Sequence, residues 1–196
     1  MPKIVDHAGR RQDFIEAAYQ TILEEGLAKT TIRSVAKRAG YTTGALVHYF
    51  KNKEDLIGHV LEENGNAVRK RMLEANESHT GRAALTAVLH EALPNDDHSA
   101  ASWRIWLALW YHAEESGEMR VEEHNRYKEW LGRIRSLLEE SQALGELGAD
   151  LELDSEAQSI VALCDGIGVQ ALMDRQRMTP QKISNIIDNY LNRLYD

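Results

Sequence analysis

The chain has 196 residues, enough for a small domain and a larger one, and 43% of them are hydrophobic, as in an ordinary globular protein. Its formal charge of −8 is wrong for a nucleic-acid binder until it is divided: residues 1–56 hold 9 Lys and Arg against 7 Asp and Glu, a net +2, and the other 140 hold 14 against 24, a net −10. One cysteine, Cys164 in IVALC, excludes a disulfide framework, the N-terminus MPKIVDHAGRRQ is too polar for a signal peptide, and no apolar run approaches the roughly 20 residues of a membrane span; a soluble, cytoplasmic chain with one buried reduced thiol is expected.

In chain order, residues 1–9 read as a loose arm. Arg10 and Arg11 open a helix whose stripe is Phe14, Ile15, Ala18, Ile22 and Leu23, ended by Gly26; its basic start either meets phosphates or is merely solvated. The stretch from Lys29 to Lys53 holds six basic residues and no acid. Within it Ile32, Val35, Ala36 and Ala39 give one buried stripe, Thr30 or Thr31 can cap the helix, and Gly40 stands where a left-handed residue ends it. A second helix starts after Tyr41, with Thr42 as cap, and runs to about Phe50. A small residue at Ala36, a glycine turn at Gly40 and a docking Leu46 make the plan a helix-turn-helix, whose second helix enters the major groove.

The stretch from about Arg10 to Leu56 resembles the DNA-binding domain of TetR-family repressors, with Tyr49-Phe50, Asn52-Lys53 and Leu56 carrying the strongest part of the likeness. It departs at Val47, where that family very often has Tyr, and at Gly44, where Pro, Ser or Ala is common; these bear on one phosphate contact and on the firmness of the helix start. The acid-free run and the outward face of the second helix put Thr42, Thr43, Gly44 and His48, with Arg33 from the preceding helix, at base edges, and Tyr49, Lys53 and Thr31 at phosphates.

Asn52, with Glu54 and Asp55 in the first turn, starts a long fourth helix to about Asn76, in which Gly65 lowers the helix propensity. No Pro- or Ser-rich linker separates the halves, so this helix joins a DNA-binding domain, residues 1–56, rigidly to an effector-binding and dimerisation domain, residues 57–196. Thr80-Gly81 restarts a helix ending near Leu93, PNDDHS reads as a loop, and Ser99 or Ser102 lies near the start of WRIWLALWY, which has one charge and should be buried almost all round. Trp103, Trp106 and Trp110 fall within about 60° of one another on the wheel; such a stripe serves either as core or as indole faces for an organic cation. Arg104 lies roughly 100° away from Trp103. Residues 118–143 form a charged helix with a stripe from Val121 through Tyr127 and Trp130 to Leu138; LGELGADLEL is irregular; Asp154 or Ser155 caps AQSIVALCDGIGVQALM; and Thr179-Pro180 starts the last helix.

Two such apolar helices ending the chain carry more apolar face than one small domain covers, so residues 155–194 are expected to pair two copies in a four-helix interface, which also lets two recognition helices read palindromic half-sites. Residues 80–194 further resemble the ligand-binding domain of the choline-responsive BetI repressors, through SWRIWLALW, ALCDGIGVQALM and MTPQKISNIIDNYL. That resemblance implies a pocket formed by the sixth-helix Trp residues and by Asp165-Gly166. Asp165 is otherwise a hydrogen-bonded residue at a helix or dimer contact.

The expected architecture is all-α, a three-helix helix-turn-helix domain joined by a long helix to a larger helical domain. The expected function is a homodimeric repressor released from its operator by a small effector, choline or a similar cation held by Trp103, Trp106, Trp110 and Asp165. The alternatives are a regulator of an efflux or catabolic operon with a different hydrophobic or cationic ligand, and an architectural DNA-binding dimer without effector. The sequence has no HExxH, GxxxxGK[ST], GxSxG or GxGxxG, its eight histidines show no metal spacing, and His112 and His124 are expected on solvent or pocket faces, so neither an enzyme, a cofactor nor a metal is expected.

Overall fold

A computed structural model describes residues 6–113 and 117–196, and over them the regular elements are all helices. The first, α1 (His7–Glu25), begins three residues before Arg10 because Asp6 caps it, its carboxylate accepting the Gly9 N–H at 2.9 Å. The remainder of the expected arm, residues 1–5, lies outside the described residues. Gly26, at φ 83°, ends α1, and a 3₁₀ turn (Leu27–Lys29) leads to α2 (Ile32–Arg38). Thr31 is the cap: its hydroxyl accepts the Ser34 N–H at 3.0 Å while Ser34 Oγ accepts the Thr31 N–H at 2.9 Å, a reciprocal box that satisfies two orphan donors. Thr30 is buried, its hydroxyl given to the Gly26 carbonyl at 3.1 Å.

Gly40, at φ 77°, turns the chain into α3 (Thr43–Leu46), capped by Thr42. This helix is one turn long, where one reaching Phe50 was expected. Thr43, Gly44 and Val47 are all weak helix formers, and the N–H groups of Tyr49 and Phe50 both return to the Leu46 carbonyl, at 2.9 and 3.1 Å. His48 and Tyr49 therefore stand in the turn that follows α3. Phe14, Val35, Leu46, Phe50 and Leu56 close the core beneath, together with Ile57, Val60 and Leu61 from the start of α4 (Lys53–Asn76) and Ile105 from α6 (Asp97–Ala113).

Asn52 caps α4 by accepting the Asp55 N–H at 2.8 Å, and the helix continues through Gly65. The body is completed by α5 (Gly81–Ala92), α6, α7 (Gly117–Ala143), α8 (Leu153–Met173) and α9 (Pro180–Tyr195), the last capped by Thr179. Two starts differ from expectation. α6 begins inside the stretch read as a loop, because the Asp96 carboxylate accepts the Ser99 N–H at 2.6 Å and Ser99 Oγ accepts the Asp96 N–H at 3.0 Å; neither Ser99 nor Ser102 is the cap. α8 begins at Leu153, and Asp154 accepts Arg135 Nε at 2.7 Å where a capping bond was expected.

The second core joins Leu85, Leu89, Leu138 and Ile160 to Ile183, Ile187 and Leu191, so the apolar stripe of α9 is consumed within one chain. The surplus apolar face expected on the last two helices is correspondingly narrower, although Met173 at the end of α8 is 80% exposed. Nor is α6 buried all round: Arg104 faces solvent and Trp110 is 41% exposed. Val121, expected in the α7 stripe, is also exposed. Among the described residues no helix is long and apolar enough to cross a membrane.

Candidate nucleic-acid interface and effector cavity

The head presents a polar surface around α3. Thr42, Thr43, Gly44 and His48 are exposed there, Arg33 is exposed on α2, and Val47 stands among them 52% exposed. Leu46 and Phe50 dock the turn from below and leave these groups on the outward face. Lys29, Lys37 and Lys51 are also exposed. Three expected phosphate ligands are differently engaged. Thr31 is occupied as the α2 cap. Lys53 Nζ donates to the Leu27 carbonyl at 3.1 Å, and the Tyr49 hydroxyl lies 2.8 Å from His7 Nδ1.

The basic residues also divide by partner. Arg38 is drawn back to Glu24 and Glu25 of α1, at 2.6 and 3.2 Å, so one charge of the acid-free run is neutralised across the fold. Arg10 lies over the Tyr41 ring at 5.0 Å and Arg11 over Phe50 at 5.5 Å, which makes the basic start of α1 a brace for the aromatic core.

The body is hollow. A cavity of about 1050 Å³ lies among α4, α5, α6, α7 and α8, and all four tryptophans of the chain line it. Trp103 and Trp106 meet edge to face at 5.1 Å between centroids, and Trp106 stacks on Trp110 at 4.8 Å. Trp103 is fixed twice. Its indole N–H donates to the Ala92 carbonyl at 2.8 Å, and its ring lies where a Cβ at Gly168 of α8 would be, so the bare glycine backbone is its seat. The i, i+3, i+7 stripe thus faces a cavity, with Ile105 of the same helix turned into the head's core.

Asp165 reaches this cavity from α8, as the indole stripe does from α6. Among the described residues it makes no hydrogen bond and no ion pair, and burial lifts its carboxyl to about 6. Cys164 beside it is a free, buried thiol pushed up to about 12 by desolvation and then by the Asp165 charge, which makes it inert packing.

Sequence reasoning missed part of the lining. Trp130 and Tyr127, read only as members of the α7 stripe, also face the cavity; their i, i+3 spacing with Trp130 the fourth tryptophan was the available signal. Arg104 points away from it, as expected, but Arg69, Arg71, Arg126 and Arg133 line it. His124 lines the same wall, whereas the His112 side chain lies outside the described residues. Among the described residues no group of three His, Cys, Asp or Glu could hold a metal ion.

Comparison with known proteins agrees with both halves. Residues 14–60 match the family described as bacterial regulatory proteins, tetR family, and residues 81–196 match the BetI-type transcriptional repressor, C-terminal family. The HTH-type transcriptional regulator PksA of Bacillus subtilis is 27% identical over 99% of this chain and 94% of its own length, and the HTH-type transcriptional regulator BetI of Yersinia pestis is 26% identical over 98% and 96%. In fold, the chain is similar to a Rhodococcus transcriptional regulator, with a TM-score of 0.84 at 21% identity over 94% of this chain and 95% of that one. It is similar also to a Saccharomonospora viridis chain solved in complex with choline and assigned as a transcriptional regulator, with a TM-score of 0.89 at 20% identity over 95% and 97%. An exposed reading turn, a hollow helical body and these two matches together make the chain a member of the TetR family with a BetI-type C-terminal domain, a DNA-binding transcriptional regulator and not an enzyme.

Proposed function

We propose that the chain is a cytoplasmic homodimeric repressor that leaves a palindromic operator when an organic cation occupies the cavity. The observation that carries this reading is Asp165: a half-buried carboxylate with no hydrogen-bond or ion-pair partner among the described residues, in a cavity that all four tryptophans line. A quaternary ammonium offers no N–H donor, so it is recognised by π-faces and a diffuse negative field; each good cation–π contact contributes about 0.5–2 kcal/mol. The choline held by the Saccharomonospora viridis relative in fold supports that ligand chemistry. Base edges are assigned to Thr42, Thr43, Gly44 and His48 with Arg33, and phosphates to Tyr49 and Lys53, with Thr31 adding its remaining hydroxyl capacity.

Release follows from α6. Its tryptophan face lines the cavity while Ile105 is embedded in the head's core, so a cation that shifts the indoles shifts a residue on which the head is packed. In a dimer, such a shift changes the separation of the two α3 turns and mismatches them with the groove repeat. A coupling of about 1–3 kcal/mol lowers operator affinity by roughly 5- to 150-fold. Pairing through residues 155–194 is supported by exposed Met173 and by the weak grip of one short helix on DNA.

Titration with choline, followed by tryptophan emission and in parallel by operator release, tests the reading. Emission should change and operator should be released at millimolar choline or below, and Trp106→Ala should abolish both. Binding that survives Trp106→Ala removes the cation cage and leaves a TetR-family regulator of other specificity, such as one controlling an efflux or catabolic operon.

A further inference from the structure

The cavity holds more than a cation cage. Among the described residues, Nη2 of Arg71, Oγ of Ser102 and Oδ1 of Asn76 are buried polar atoms of its lining with no hydrogen-bond partner. Arg71 is held at its Nε by Glu91, 3.5 Å away, so the guanidinium is anchored at one edge and its other edge is turned inward with a donor unspent. Ser102 is 4% exposed, and its carbonyl is tied by the Asn64 side chain at 3.3 Å, which leaves the hydroxyl as its free group. Unmet donors buried in this way cost about 1–3 kcal/mol each in the empty protein, and a ligand oxygen that satisfies them recovers that cost.

Place and size bear on what such an oxygen belongs to. Glu91, which anchors Arg71, is the neighbour of Ala92, whose carbonyl holds the Trp103 indole, so the guanidinium is rooted beside the first tryptophan of the cage. The cavity, about 1050 Å³, lies at the upper end of the range that holds drug-sized ligands, about 300–1000 Å³, and is far larger than a tetramethylated ammonium alone requires. A single positive head satisfies Asp165 and the indoles and leaves Arg71 and Ser102 unpaired.

Resting on the cation reading above, we infer that the effector is a zwitterion: an alkylammonium head between the tryptophans and Asp165, joined to an oxyanion, carboxylate or phosphate, that accepts from Arg71 and Ser102. Arg is suited to the second role because its planar fork meets a two-oxygen anion with paired N–H bonds. Discrimination also follows. A site built to hydrogen-bond a ligand oxygen penalises an analogue that lacks it, because the buried donors are then left unmatched.

The full-length protein should be titrated with choline, with 4-trimethylammoniobutanoate as the carboxylate probe and with phosphocholine as the phosphate probe, by calorimetry and by operator release. At least one zwitterion should bind ten-fold or more tightly than choline to the unaltered chain. Arg71→Gln should bring that zwitterion to the level of choline, and Arg71→Lys should restore part of the gap. The two probes separate a carboxylate from a phosphate as the natural oxyanion. Choline binding as tightly as both zwitterions overturns the inference and leaves the cation reading intact, and that comparison on the unaltered protein stands even if Arg71→Gln fails to fold. A preference for the zwitterion that survives Arg71→Gln in a folded protein also overturns it. No binding of any of the three overturns both readings.

Discussion

The head and the body solve opposite problems with the same element. In the head, side chains with no remaining work are packed to near-zero exposure, Phe14, Leu46 and Phe50 among them, and the polar groups Thr42, Thr43 and His48 point away from the centre. In the body, polar and aromatic groups point inward around empty space, and one of them, Asp165, carries an unpaid desolvation that a ligand can relieve. A rigid head offers DNA a fixed shape, which suits a partner that is itself regular; a hollow body stores unsatisfied groups, which suits a partner that must change the protein when it arrives.

The contrast is broken most severely at Gly168. A methyl there collides with the Trp103 ring, whose N–H is already committed to Ala92, so Gly168→Ala must displace the indole or the helix. Overpacking of this kind costs about 1–3 kcal/mol. Denaturant unfolding should show that loss, emission should report a moved tryptophan, and cation affinity should fall at least ten-fold, while operator affinity without effector changes far less.

Acid acts on the same contrast more gently. With its carboxyl lifted to about 6 by burial, Asp165 is ionised above that pH and neutral below it. Cation affinity should therefore be flat above about pH 7 and fall about ten-fold per unit below pH 6, since only the ionised form attracts the ligand. The empty protein responds with the opposite sign: its Asp165 pKa is above the unfolded value of 3.8, so the group's contribution to stability is fully present below that value and is lost as the pH rises through about 6. Calorimetric titration across this window, with Asp165→Asn as the variant that should flatten the profile, checks the assignment.

The smallest effect belongs to the head. Lys53→Ala should weaken binding to every DNA sequence alike and lower the log–log salt slope by about 0.9, one phosphate equivalent. Because Lys53 also ties α4 to the Leu27 carbonyl, thermal unfolding should be followed alongside. An unchanged salt slope with reduced stability would make Lys53 a clasp and not a phosphate ligand.

What the sequence disclosed follows the range of the interactions concerned. Thr42, Asn52 and Thr179 were legible as caps because a cap is settled within three residues, and the indole stripe was legible because it repeats along one helix. The start of α8 was misread because Asp154 is drawn to Arg135 on another helix, a partner that local pattern does not reveal. α3 was drawn too long because its docking residues Leu46 and Phe50 fit a helix as well as they fit the tight turn that forms. Arg71 was hidden for the same reason as Asp154: it joins the cavity only when α4 is set against α6, and nothing local distinguishes it from a solvated face, whereas Trp130 carried only its spacing from Tyr127 as a signal. The family likeness narrowed that gap for Asp165, which has no local signal at all.

Ile105 has a further consequence for how the molecule comes apart. Midway along α6, it is fully buried in a core whose other buried members run from Phe14 to Leu61, so the head's hydrophobic centre is closed by a residue some forty positions beyond its last own contributor, Leu61. A head cut away after α4 would be left with a hole of a whole isoleucine side chain, of the kind that costs about 2–5 kcal/mol when made by truncation to alanine. Head and body are therefore expected to unfold together, a single transition in denaturant being the outcome that checks it.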